Sequence, residues 1–155
     1  MSDSAVLIVN ATPHGVTLQM TTPDGPQLIT LPPSGLSVRV QTSATAATNG
    51  SSVLVRVATG DPEGLPAERP DVVFVVSTMV LTSPAAASRG DLMAPYNLQR
   101  GMDGQPSYCL QLSVSAGMTA DTLRKVDATL RAYLEGARTP ADDLARYHAL
   151  VDQGK

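Results

Sequence analysis

The stretch Val6-Leu7-Ile8-Val9-Asn10-Ala11-Thr12-Pro13-His14-Gly15-Val16-Thr17-Leu18-Gln19-Met20 decides how this chain is read. An apolar run is followed by a polar segment, and then by Val16, Leu18 and Met20 alternating with polar residues. Alternation of period two belongs to a strand with one buried face. In the middle, proline fixes φ, Asn and Thr side chains bond to nearby backbone, and glycine lets the chain turn. A rigid corner between two strands is therefore expected, and it carries His14, one of two histidines.

Outward from that corner the same alternation recurs at Leu36/Val38/Val40, which sets Arg39 on the opposite face. Turn signals stand at Pro23-Asp24-Gly25-Pro26, Pro32-Pro33-Ser34-Gly35, Asp61-Pro62-Glu63-Gly64 and Asp103-Gly104. About seven strands are expected, near 5–9, 15–20, 27–31, 35–41, 52–58, 71–80 and 107–114. They make the chain mainly β, an antiparallel barrel or sandwich. Gln41 to Ser52 is small and polar and reads as a mobile loop. The connection from Thr82 to Pro106 is long for a compact domain, and loops of that length are often functional.

The chain changes character near residue 115. Eleven of its twelve prolines precede residue 116 and both lysines follow it. Residues 1–115 read as the β domain and 116–155 as a helical hairpin extension. Thr119 caps a helix with a stripe of Leu123, Val126, Leu130, Tyr133 and Leu134, ended by Gly136. Thr139-Pro140 opens a second, with Asp142 and Asp143 at its positive end and Leu144, Tyr147, Leu150 and Val151 on its apolar face. Two short amphipathic helices need a partner surface, so the hairpin packs on the β domain or on a second subunit, and a homo-oligomer is expected.

Several classes are disfavoured. The net charge of −3, with no cationic run, removes the term that dominates binding to polymeric nucleic acid. The most apolar segment, Val72 to Leu81, has ten residues, half of a membrane span. Met1-Ser2-Asp3-Ser4 lacks the basic start of a signal peptide, and the lone Cys109 forms no internal disulfide, so a cytoplasmic setting is expected. Remote histidines and one cysteine give no metal set, and no cofactor motif is present.

The imidazole of His14 could meet a ligand or act as a base; the simpler reading is that it locks its turn, as Asn10 and Thr12 would. Arg39, Arg56, Arg89 and Arg100 are the cations available to an anion, and strand arginines are usually solvated. Arg89 with Asp91 forms a local pair in the long connection. Ser77 interrupts an apolar strand, where a buried hydroxyl needs a partner, but it lacks the glycine elbow of a nucleophile. Cys109 reads as an inert buried thiol, and Tyr96, Asn97 and Tyr108 as a flat polar wall.

Asn10-Ala11-Thr12-Pro13-His14, Pro33-Ser34-Gly35 with Arg39, Val75-Val76-Ser77, Asp91-Leu92-Met93-Ala94-Pro95, Asp103-Gly104 and Cys109 follow one another in order. Over residues 5–114 this series resembles a small, largely uncharacterised family of actinobacterial genomes and bacteriophages with an Asn-x-Thr-Pro-His start. Ala11 stands where that family has leucine, and the helices after residue 115 are an addition. The resemblance implies a bacterial or phage origin and, by context, counter-defence. The expected function is a non-enzymatic protein that captures a small anionic, nucleotide-like ligand through Asn10, Thr12, His14, Arg39, Ser77, Arg89 and Asp91. The alternatives are an interaction or assembly module with the helical hairpin as contact, and a hydrolase using His14.

Overall fold

The computed structural model describes residues 5–50, 53–104 and 106–153. Residues 1–4, Ser51, Ser52, Gln105 and residues 154 and 155 lie outside that range. In chain order the elements are β1 (Leu7–Asn10), β2 (Val16–Thr22), β3 (Gly25–Leu31), β4 (Thr42–Ala46), β5 (Val55–Thr59), β6 (Val72–Val75), α1 (Thr78–Leu81), α2 (Pro84–Ala87), β7 (Leu92–Arg100), β8 (Pro106–Val114), α3 (Ala120–Glu135) and α4 (Pro140–Gln153).

Six strands form one sheet in the order β1-β6-β7-β8-β2-β3. The β1/β6, β6/β7 and β2/β8 neighbours are parallel, whereas β2/β3 and β7/β8 are antiparallel. The expectation of an antiparallel barrel or sandwich is thus corrected to a mixed α/β fold. Its cause is visible in β1 and β6, apolar except for Asn10 and buried at every position, as strands covered on both faces are. The sheet curls into a half-barrel. Asn10 at the end of β1 bridges Pro33, just beyond β3, so the two edge strands meet there.

All six strands contribute to the face packed on α3, including Ile8, Leu18, Ile29, Val73, Met93 and Cys109, which makes it the concave one. Thr129 of α3 sits inside: its hydroxyl accepts from Val6 N at 2.9 Å and donates to Val6 O at 2.7 Å. The opposite face, with Leu7, Val9, Val72 and Phe74, packs on the short helices and α4, whose Tyr147 meets Phe74 edge-on at 5.8 Å. The helical hairpin therefore straddles the sheet.

Its ends follow the signals in the sequence. Thr119 accepts from Thr122 N, Gly136 takes a left-handed φ of 78°, and Thr139 accepts from Asp142 N. Leu123, expected in the buried stripe, is 42% exposed.

Three segments differ from expectation. The run 71–80 leaves the strand after Val75, because Ser77 accepts a hydrogen bond from Val80 N and starts α1. The connection 82–106 holds α2 and β7. The supposed loop 41–52 contains β4, paired with β5 in a two-stranded ribbon separate from the main sheet, with every residue of both strands exposed. Small side chains do not prevent pairing where the partner strand, here Val55–Thr59, is β-branched. Within 35–41 only the Arg39–Glu63 bridge remains of the expected strand.

Candidate anion-binding cleft

The corner that opens the chain is held by its own bonds. The Asn10 amide donates to His14 O at 2.7 Å and to Leu31 O at 2.9 Å, while its oxygen accepts from Thr12 N at 2.9 Å. The Thr12 hydroxyl lies 2.6 Å from that oxygen and 2.9 Å from His14 O, two acceptors for one proton. Ser34 closes the knot from the other edge by donating twice to Asn10 O, and His148 of α4 reaches Ser34 O at 2.9 Å. Asn10 is buried and the His14 side chain is exposed. Asn10, Thr12 and His14 are bonded together at this end of the sheet, and Ser77 comes two residues after Val75, the register partner of Asn10. Arg39 lies one residue beyond Val38, which bonds Ala11 O, and its side chain is exposed. Ser77 is likewise exposed, spent as a helix cap.

Arg89 and Asp91 lie away from that corner, just before β7. The pair is bidentate at 2.8 and 2.7 Å, Arg89 also donates to Pro66 O at 2.9 Å, and Glu68 stands 3.8 Å away. The hydrogen bond with Asp91 holds the Arg89 pKa above its ordinary value. Gly90 between them touches Gly117: a Cβ at Gly90 would meet Gly117 O at 2.9 Å, and one at Gly117 would meet Arg89 O at 2.7 Å. No side chain fits at this crossing.

Asp91 lines a cleft of about 390 Å³ with Val6, Arg69, Asp71 and Lys125. A second cleft of about 320 Å³ adjoins it across the shared Val6, Pro70 and Asp71, and is walled by Leu7, Arg138, Arg146 and Leu150. The double cleft runs past the first residues of β1 and β6 to α3 and α4. Asp71 is the hinge between the halves, in a left-handed conformation (φ 64°) that aspartate tolerates. Its carbonyl accepts from Leu7 N at 2.8 Å and its carboxylate from Lys125 at 3.0 Å. That bond raises the Lys125 pKa.

Arg138 is fixed from behind. Its Nε and Nη2 reach the same oxygen of Asp143, at 3.1 and 3.0 Å, and Tyr133 donates to that oxygen at 2.7 Å. Asp143 is 1% exposed, and its other carboxylate oxygen has no partner among the described residues. Burial first, and then the bond to Asp143, push the Tyr133 hydroxyl pKa strongly upward. Arg138 thus keeps its Nη1 edge uncommitted to Asp143, beside an exposed Arg146 and within reach of the apolar Leu7 and Leu150. A planar cation held rigid at one edge suits an oxyanion at the other.

The sequence reading included Asp91 and Arg89 but missed Arg69, Asp71, Lys125, Arg138 and Arg146. One signal was present: Asp143, Tyr147, Leu150 and Val151 share a helical face, so a carboxylate there is buried and must be partnered. Compared with models of known families, with curated proteins and with solved structures, the chain matches none.

Proposed function

We propose that the protein binds a small anionic, nucleotide-like ligand without transforming it, and that the double cleft is the site. The arrangement of Arg69, Arg138 and Arg146 around two adjoining hollows floored by Val6, Leu7 and Val72 carries this reading. The cations suit phosphate oxygens and the apolar floor suits a ring. Of the three acids on the lining, Asp71 and Asp91 are balanced by Lys125 and Arg89, and Glu68 stands 3.8 Å from Arg89. The family resemblance adds a context, capture of a nucleotide-like signal of host defence by a phage-encoded protein, in a bacterial cytoplasm.

Arg146 is exposed and outside the core, so Arg146→Gln tests the site without disturbing the fold. Titrating the protein with mononucleotides and cyclic dinucleotides in a thermal-shift series is expected to raise the unfolding temperature with at least one of them, since a ligand of the folded state stabilises it. R146Q is expected to weaken that ligand about tenfold, the loss of one charge-assisted contact. No shift with any member of the series, or a shift unchanged in R146Q, overturns the assignment.

A further inference from the structure

Among the described residues, the β4–β5 ribbon and a groove on the concave side are apolar surfaces that the fold leaves unpartnered. We infer that each is the seat of the other in a second copy of this chain: the ribbon of one subunit lies in the groove of its partner, reciprocally about a two-fold axis. This goes beyond the ligand reading and does not depend on it.

The ribbon is an arm. It starts at the Arg39–Glu63 bridge, continues through the bond from Gly60 N to Gln41 O, and is still paired where Ala47 N meets Leu54 O. The segment from Arg39 to Ala47 reaches about 27 Å at roughly 3.3 Å per residue. Its cross-strand pairs sort by face. Ala44↔Val57 and Ala46↔Val55, with Thr42↔Thr59, make one side mainly apolar, whereas Thr45↔Arg56 and Ser43↔Ala58 make the other more polar. Val55 and Val57 are 51% and 65% exposed. A lone hairpin is marginal in water, and the β4 edge, which carries neither charge nor proline, invites pairing.

The groove lies between α3 and strands β2 and β8, with a volume of about 370 Å³. Leu18, Met20 and Leu112 form its floor, and Leu110, Val114 and Leu123 on its rim are 37%, 39% and 42% exposed. The arm cannot serve its own groove. Its root, Val38, packs with Val9, Phe74 and Tyr147 on the convex face, while the groove opens beside Leu18, Met93 and Val126 on the concave one.

Charge and area select a second copy as occupant. Residues 36–60 carry Arg39 and Arg56 and no acid, +2, so the remainder of the chain carries −3 − 2 = −5. An arm is therefore drawn to another copy's body as a whole, since Asp127 on the groove's lining is already paired with Arg131 at 2.7 Å. Two arms laid face to face would bury only about 540 Å² in total, from a ribbon about 10 Å wide and 27 Å long, well below the ~1,200 Å² of stable interfaces. Reciprocal exchange makes two such contacts, at most about 1,100 Å², double what arm-on-arm contact gives. The helical hairpin enters this contact through Leu123 on the groove's rim, since Val126, Leu130, Tyr133 and Tyr147 are buried in the chain's own core.

Light scattering on the full chain with variants V55D/V57D (arm) and L123R (groove) tests this; all three positions are exposed, and a cooperative unfolding transition in each variant confirms that it folds. The expected wild-type mass is twice 16.1 kDa, and each variant raises the dissociation constant about tenfold or more. Mixing the two variants restores association in part, because one intact arm then faces one intact groove. A monomeric wild type, or a dimer that survives V55D/V57D, overturns the inference. So does a dimer lost in V55D/V57D but intact in L123R, which would place the arm on another surface or on another arm. A mixture that fails to associate overturns it as well.

Discussion

Asn10 spends its side chain completely. Both amide protons go to carbonyls, His14 O and Leu31 O, and the amide oxygen takes Thr12 N and the Thr12 hydroxyl. Four bonds exhaust what an asparagine offers. They join β1, the following turn and the far edge strand, so this residue helps to curl the sheet. Asn10→Ala removes the amide and leaves buried carbonyls and an N–H unmatched, with an expected loss of about 3 kcal/mol. His14→Ala truncates an exposed ring whose bonded group in the corner is the backbone carbonyl, and should change stability by less than about 0.5 kcal/mol. Urea unfolding of the two variants, compared by midpoint at unchanged slope, separates a corner that folds the chain from a corner built around histidine. The short polar types at Asn10 and Thr12 made this role legible. That Asn10 also reaches Leu31, distant in sequence, was not, because a sequence does not state which strands curl together.

At the scale of elements, α3 and α4 are locked to each other by Tyr133, Arg138 and Asp143, and the lock has a pH signature. In the unfolded chain a tyrosine loses its proton near pH ~10. In the folded protein the Tyr133 pKa is raised, by burial first and by the Asp143 carboxylate second, so the native state holds the proton that the unfolded state releases. Stability contributed by this group is full below pH ~10 and declines as the pH rises above it, by about 1.4 kcal/mol per unit. Tyr147 and Cys109, also raised by burial, add losses of the same sign. Tyr133→Phe should make the fall in unfolding free energy above pH 10 shallower by about one proton's worth, measured by denaturant melts across pH 8–11. An identical slope would show that the hydroxyl titrates alike in both states. The helix ends were readable because caps are local: Thr119, Gly136 and Thr139-Pro140 each act within a turn. Strand direction was not. Val72 to Val76 is equally apolar whether its neighbour runs parallel or antiparallel, and only the crossovers decide. The residues of the double cleft were hidden for a related reason: Arg69, Lys125 and Arg138 come from a loop and from α3 and the turn after it, and only the packing of those segments brings them around one hollow.

The whole molecule is a body with two opposed faces and an arm that adds to neither. Val38 and the partly buried Val40 belong to the body, and beyond them the residues of β4 and β5 are all exposed. A segment that buries nothing contributes little to the stability of the chain that carries it, so it is kept for what it does outside that chain or it is not needed. Gln41 and Gly60 are held 2.8 Å apart, N to O, at the arm's base, which makes a clean excision possible. Joining Val40 to Asp61 through a Gly-Gly turn should leave the unfolding free energy within about 1 kcal/mol of the parent, since the loop being closed only becomes shorter and no core residue is lost. The excised protein should also run as a single copy while keeping whatever thermal shift the double cleft gives with a nucleotide, because the arm residues 42–59 line neither hollow. A loss of more than about 2 kcal/mol would mean that the arm is part of the folded body after all. Loss of the ligand shift together with the dimer would mean that the cleft is completed only when two subunits meet.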